Sequence, residues 1–312
     1  SRLGWDTTAL NAALAWAGEQ RSTAVVILWR GRIATERYWR GWTATTDSII
    51  ASAGKSMVAL MVGQLAEQGR LSIDDPVTRW LGPGWSRATP AQEGAIRVRH
   101  LLAMTSGLDD SLRYVAPPGA RFYYNNPAYF QLFAVMERAS GQRITPLTRE
   151  ALWTPIGMRQ SSWVPNVDVG ELGWTMRCSA RDMARFGLLV LAGGRWDGRP
   201  VLGDVAYLRD MLNSSSADNP SYGYLWWLNG KASHRLPGPY LLPSRPGAIA
   251  PSAPADLAAA LGADDKKIYV VPSLELVVVR HGPRSDVRTD DPRAITAFDE
   301  ELWRRLRPAL RY

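Results

Sequence analysis

A serine hydroxyl and a lysine amine stand three residues apart in Ser52-Ala53-Gly54-Lys55, where an apolar helical pattern begins (Met57, Val58, Leu60, Met61, Leu65). On a helix, positions i and i+3 share a face, with Cβ atoms roughly 5–6 Å apart. A serine hydroxyl is a poor nucleophile at neutral pH unless a neighbouring base takes its proton. Lysine can be that base only if burial lowers its pKa. The chain has four lysines (Lys55, Lys231, Lys266, Lys267), and arginine supplies the rest of its positive charge. An amine inside an apolar helix of such a chain suits proton transfer, which arginine cannot perform. The bland alternative is a surface lysine, with Ser52 as an ordinary N-cap.

Acyl transfer also needs a proton relay and an oxyanion hole. Phe122-Tyr123-Tyr124-Asn125-Asn126-Pro127 offers two phenols and two amides ahead of a helix. A phenolate beside a lysine ammonium is stabilised and can shuttle protons; core aromatics with Asn126 as a turn or N-cap residue is the competing reading. Ala260-Leu261-Gly262-Ala263 places small residues before a strand pair, where a ligand can approach the main chain closely. The Ser52 N–H at its helix start is the natural partner donor. The aromatic set Tyr222, Tyr224, Trp226 and Trp227 suits either an acyl pocket or core packing.

These boxes, in this order, resemble the serine β-lactamase and penicillin-binding-protein-like family, in its class C β-lactamase-related branch of esterases, amidases and 6-aminohexanoate-dimer hydrolases. The resemblance extends to Leu65 through Val77, to His100-Leu101-Leu102 with Thr105-Ser106-Gly107-Leu108, to Ser179 through Gly187, to Tyr222 through Trp227, and to Ile268 through Pro272. It implies Ser52 as the acylated nucleophile and Lys55 as the amine that activates it. It implies Tyr124 as base and later acid, and Asn126 as the amide that orients substrate and lysine. The oxyanion donors would be the N–H groups of Ser52 and Ala263, with Gly262 beside them; Tyr222 and Trp227 are the candidate pocket aromatics. The chain departs from the family in its third box, which reads Ala260-Leu261-Gly262 where a Lys-Thr-Gly or His-x-Gly is usual. Loss of that cation and hydroxyl favours a small ester or amide over a β-lactam or D-amino-acid peptide. Asp264, Asp265, Lys266 and Arg280 are the polar groups nearby that could replace them. A penicillin-recognising sensor that acylates without turnover is the non-catalytic alternative.

The elements that must position these groups read as follows. A helix is predicted over 7–19, a hairpin from Ala24–Trp29 and Ile33–Trp39 about Gly31, and the Ser52 helix ending near Gly69. Short helices follow around 98–104, 127–140, 145–152 and 180–192. Strand signals return at Gly223–Leu228, Lys267–Val271 and Leu274–Arg280, and a last helix at 291–307. The expected class is α+β: an antiparallel sheet flanked by terminal helices, with an inserted mainly helical region, as the resemblance also implies. One unit is expected from 1–75 and 200–312, a helical one from 76–199, with the site between them.

Composition narrows the classes. Apolar residues make up 46% and charged residues 21% of the 312, which are globular values. The net charge of +8 is spread over scattered arginines, without an RNA-binding signature, so nucleic acid is not an expected partner. Cys178 is the only cysteine, which excludes an internal disulfide, and His100, His234 and His281 show no metal-ligand spacing. No cofactor or metal is implied. No run of 18 apolar residues suggests a membrane span. The chain opens at Ser1 without an initiator methionine, and a removed leader would fit a periplasmic or secreted protein. Gly54-Lys55-Ser56 also ends a P-loop pattern, but the pattern's first glycine would fall at Ile49. The sequence leaves the oligomeric state open.

Overall fold

The structure is a computed structural model in which residues 4–166, 173–287 and 296–310 are described. Its main sheet is antiparallel and six-stranded. The strands are β1 (Ala24–Trp29) and β2 (Arg32–Tyr38) from the N-terminal part, and β6 (Trp227–Leu228), β7 (Ala258–Gly262), β8 (Lys266–Val271) and β9 (Leu276–His281) from the C-terminal part. Their order is β2-β1-β9-β8-β7-β6. Every residue of β7, β8 and β9 is buried. Such strands need cover on both faces and carry runs of apolar residues instead of alternation.

The cover comes from long helices. Helix α1 (Thr7–Glu19) is capped by Asp6, whose side chain accepts from the Ala9 N–H at 3.0 Å, and it packs against α5 (Ala297–Leu310). Helix α4 (Ala180–Leu191), capped by Ser179, packs on β1, β8 and β9. Helix α2 (Lys55–Glu67) is buried from Lys55 through Leu65 on every side. This is what an apolar surround predicts for a core helix. Helix α3 (Asn126–Ser140) packs against α2. Among the described residues, no helix is long and apolar enough to cross a membrane.

A second sheet, in the order β3-β5-β4, joins β3 (Asp47–Ile49), β4 (Ser161–Pro165) and β5 (Trp174–Ser179). The sequence pattern did not reveal it. A three-residue strand is too short for a period, and β3 pairs with β5, which lies far along the chain. Strand β7 was hidden too, because its Ala-Ala-Ala-Leu-Gly run lacks β-branched residues.

The strand expected at Gly223–Leu228 shrinks to Trp227–Leu228. Leu225 adopts φ 58° and gives its N–H to Leu102 O, so the chain bends there. The other terminal elements match their expected spans within a few residues. The start of the expected final helix, through residue 295, lies outside the described residues.

Candidate active site

Strand β3 delivers the chain directly to the serine. The Ile50 N–H donates to Met176 O of β5 at 2.9 Å, which ties the turn to the second sheet. Ala51 then takes φ 49°, a left-handed conformation that costs a non-glycine residue about 1–2 kcal/mol. The strain sits immediately before Ser52. A short 3-10 turn, Ala51–Gly54, carries Ser52 and runs straight into α2 at Lys55. Gly54 is required for space: a Cβ there would stand 2.9 Å from Met176 Cβ.

The amine reaches the hydroxyl. Lys55 Nζ lies 3.0 Å from Ser52 Oγ. Lys55 is buried, and desolvation pulls its pKa from the ordinary lysine range to about 7. Among the described residues, no carboxylate pairs with the amine to hold it charged. Its remaining surroundings are aromatic: Nζ stands 4.5 Å from the Tyr129 ring centre and 5.2 Å from that of Tyr124.

Tyr124 comes to the same hydroxyl from the opposite segment. Desolvation pushes its phenol pKa up to about 12, and the nearby Ser52 hydroxyl offsets part of that rise. Asn125, not Asn126, caps α3: its Oδ1 accepts from the Ala128 N–H at 2.9 Å. Its Nδ2 donates to Leu108 O and Asp109 O at 2.8 and 2.9 Å. The buried amide thereby fixes Tyr124 on one side of it and Asn126 on the other. Asn126, freed from capping, is exposed and lines the same cleft as Ser52 and Lys55.

Gly262, at the end of β7, lies against the nucleophile's turn. Ala263 follows it and is exposed. The turn beyond is held from within: Asp264 and Asp265 have φ of 57° and 59°, and Arg280 Nη1 donates to both of their carbonyls at 2.9 and 3.1 Å. Lys266 Nζ binds Asp264 Oδ2 at 3.0 Å, and Asp265 accepts from Ser285. The four polar residues considered as replacements for the third box are thus bound to one another and to neighbouring main chain.

Tyr222 and Trp227 are placed differently from the expectation that they contact substrate. Both are buried, at 1% and 3% exposure, and neither lines the cleft. They stand behind Tyr124, with Trp227 stacked on its ring at 5.9 Å and Tyr222 meeting it edge-on at 6.3 Å. Their bulk, driven into the core by the hydrophobic effect, supports the phenol from the rear.

The cleft itself has a volume of about 370 Å³. Beyond Ser52, Lys55 and Asn126 it is walled by residues the sequence reading missed, among them Tyr129, Phe130, Trp163, Trp174 and Met176. Tyr129 and Phe130 lie three and four positions after Asn126 on one helix, a spacing that marks a shared face. The two tryptophans come from β4 and β5, which no local signal tied to the site.

A sequence profile of the Beta-lactamase family matches residues 10–248. This chain belongs to the Beta-lactamase family. Esterase EstB of Burkholderia gladioli is 32% identical over 149 residues, covering 37% of this chain and 38% of the esterase. The 6-aminohexanoate-dimer hydrolase of Paenarthrobacter ureafaciens is 22% identical over 274 residues, covering 70% of this chain and 68% of that enzyme. Among solved structures, a β-lactamase from Mycobacterium bovis superposes with a TM-score of 0.72 at 19% identity, covering 97% of this chain and 99% of that one. The fold is thus β-lactamase-like, and the family is one of serine hydrolases.

Proposed function

We propose that this protein hydrolyses small esters or amides through an acyl-enzyme on Ser52. The reading rests on one observation above the others: a desolvated amine, with a pKa near neutrality, 3.0 Å from a half-buried serine hydroxyl. At pH above about 7 that amine is neutral and its lone pair can take the Ser52 proton as Oγ attacks the carbonyl carbon.

The division of labour differs from the sequence expectation, which made Tyr124 the base. A phenol pushed to about 12 is protonated at neutral pH, so the free enzyme's base is Lys55. Tyr124 acts as the relay. It accepts the proton from Lys55 or Ser52 on one side and donates its own to the leaving oxygen or nitrogen on the other. Water then attacks the acyl group and the same groups run in reverse. The main-chain N–H groups of Ser52 and Ala263 are the proposed oxyanion donors. Asn126, exposed in the cleft, is the proposed anchor for the substrate's carbonyl substituent.

The absent third-box cation and hydroxyl, with the neighbouring charges bound internally, favour this reading over a β-lactamase or D-amino-acid peptidase. The EstB and 6-aminohexanoate-dimer hydrolase relatives agree with it.

The test is turnover of p-nitrophenyl esters and of nitrocefin by wild type and Ser52→Ala. Ester turnover should exceed nitrocefin turnover and fall by several orders of magnitude in the variant. A single stoichiometric burst without turnover would mean a sensor. Normal turnover by Ser52→Ala would place the chemistry elsewhere.

A further inference from the structure

We infer that the cleft is an acyl pocket selective for neutral, apolar acyl groups longer than acetyl, and that Trp174 sets this preference. The inference rests on the proposed acyl-enzyme reading and adds the substrate class. Three observations carry it.

The first is where the two ends of a substrate go. The leaving group must reach the proton donor, and Tyr124 is outside the cleft lining, although it lies close enough to Ser52 to feel its hydroxyl. The cleft opens from Ser52 and Lys55 in another direction, toward Tyr129, Phe130 and the β4–β5 pair. The group that stays on Ser52 therefore occupies the cleft.

The second is chemistry. The far walls are mostly apolar, from Ile49, Phe130, Trp163, Pro165, Trp174 and Met176, with Asn166 and Thr175 as neutral polar groups. Among the described lining residues there is no arginine, histidine, aspartate or glutamate, and Lys55, at the Ser52 end, is the one ionisable amine. The basic group next along β5, Arg177, is held by Asp47 at 2.6 Å. An anionic acyl chain would lose hydration there without a charged partner. The third is size: about 370 Å³ is far more than an acetyl group fills.

Trp174 is the half-buried member of the wall, on the β5 residue paired with Pro165. Trp163 is buried and gives its indole N–H to Thr148 Oγ1 at 2.8 Å, so it belongs to the core as well. Trp174 is therefore the residue free to vary with substrate.

The experiment is a kcat/KM series over p-nitrophenyl acetate, butyrate, hexanoate and the mono-glutarate. Burial of one methylene corresponds to roughly fourfold. Hexanoate should exceed acetate at least tenfold, and hexanoate should exceed glutarate by more. Trp174→Arg should lower hexanoate tenfold or more and raise glutarate; a folding defect would lower both. Labelling of Ser52 by methyl and hexyl phosphonofluoridates, read by mass spectrometry, gives the same comparison without turnover. Faster labelling by the hexyl reagent supports the pocket. Equal rates for long, short and charged chains overturn it and leave the acyl-enzyme reading intact. Failure of both reagents to label Ser52 overturns that reading instead.

Discussion

Gly262 and Ile50 meet with no room between them: a Cβ on Gly262 would stand 2.2 Å from the Ile50 carbonyl oxygen and 3.1 Å from the Ala53 nitrogen. The end of β7 thus rests directly on the main chain that carries Ser52. The contact explains a glycine whose φ of −111° any residue could adopt. Only its missing side chain is needed.

Gly262→Ala is accordingly a steric probe of the nucleophile's seat. The strand and the turn must part by several tenths of an ångström or more, and neither is a flexible side-chain tip. We expect a stability loss of about 1–3 kcal/mol. We expect a larger relative loss in kcat, tenfold or more, because a misplacement on the order of 1 Å costs about 100-fold. Denaturant midpoints and ester kinetics on the same preparation separate the two. Undiminished kcat in a folded variant would show that the strand does not hold the nucleophile.

The pH dependence of kcat/KM reports the free enzyme. Lys55, lowered to about 7 by burial, must be neutral to accept the Ser52 proton. The rate should rise tenfold per pH unit below about 7 and level off above it. His100 and His281 cannot mimic this limb, because burial holds both near 4. Lys55→Arg should remove the activity across the range, since arginine stays charged. A flat profile from pH 5 to 9 would contradict a lysine base.

Much of this site was legible in the sequence because its parts are local. Ser52 and Lys55 are three residues apart on one helical start, and Tyr124 and Asn126 are two apart ahead of another. Such spacings survive folding. The terminal helices and the β1–β2 hairpin were legible for the same reason, each being a periodic run with a clear turn or cap. What stayed hidden was non-local. Trp163 and Trp174 reach the cleft only through a sheet whose third strand has three residues. The capping role belonged to Asn125 and not Asn126, because the choice depends on Leu108 O and Asp109 O, which fold back from another segment. Tyr222 and Trp227 carry the right chemistry for a pocket, but only packing reveals that they stand behind Tyr124.

The same burial that activates Lys55 should weaken the fold at low pH. The unfolded chain holds the lysine proton up to about pH 10.5, whereas the folded chain releases it near 7. Between those values the unfolded state binds more protons, so stability rises with pH across the window. Below about 7 the full desolvation cost, roughly 3–5 kcal/mol, is present. Lys55→Met removes it at the loss of one hydrogen bond, worth about 1 kcal/mol. The variant should be inactive, more stable than wild type by about 2–4 kcal/mol at pH 6, and nearly equal to it at pH 10. Urea midpoints at the two pH values decide the matter; equal destabilisation at both would mean that the lysine packs as a structural residue.

A buried ion pair makes a different prediction at the other face of the sheet. Lys267 Nζ lies 2.8 Å from Asp299 Oδ2, and the Tyr269 hydroxyl donates to Asp299 Oδ1 at 2.7 Å. All three are buried, and Asp299 is the contribution of helix α5 to strand β8. Asp299→Ala leaves an ammonium whose next carboxylate, Asp265, is 3.5 Å away, and a phenol that has lost its acceptor. Removing one partner of such a pair costs about 3–5 kcal/mol, whereas replacing both by apolar groups of similar volume is close to neutral. The double variant Lys267→Met/Asp299→Leu should therefore be more stable than Asp299→Ala, and both should keep their ester kcat while folded, since neither residue lines the cleft. A double variant less stable than the single one would mean that the charges themselves, and not the volume they fill, hold α5 to the sheet.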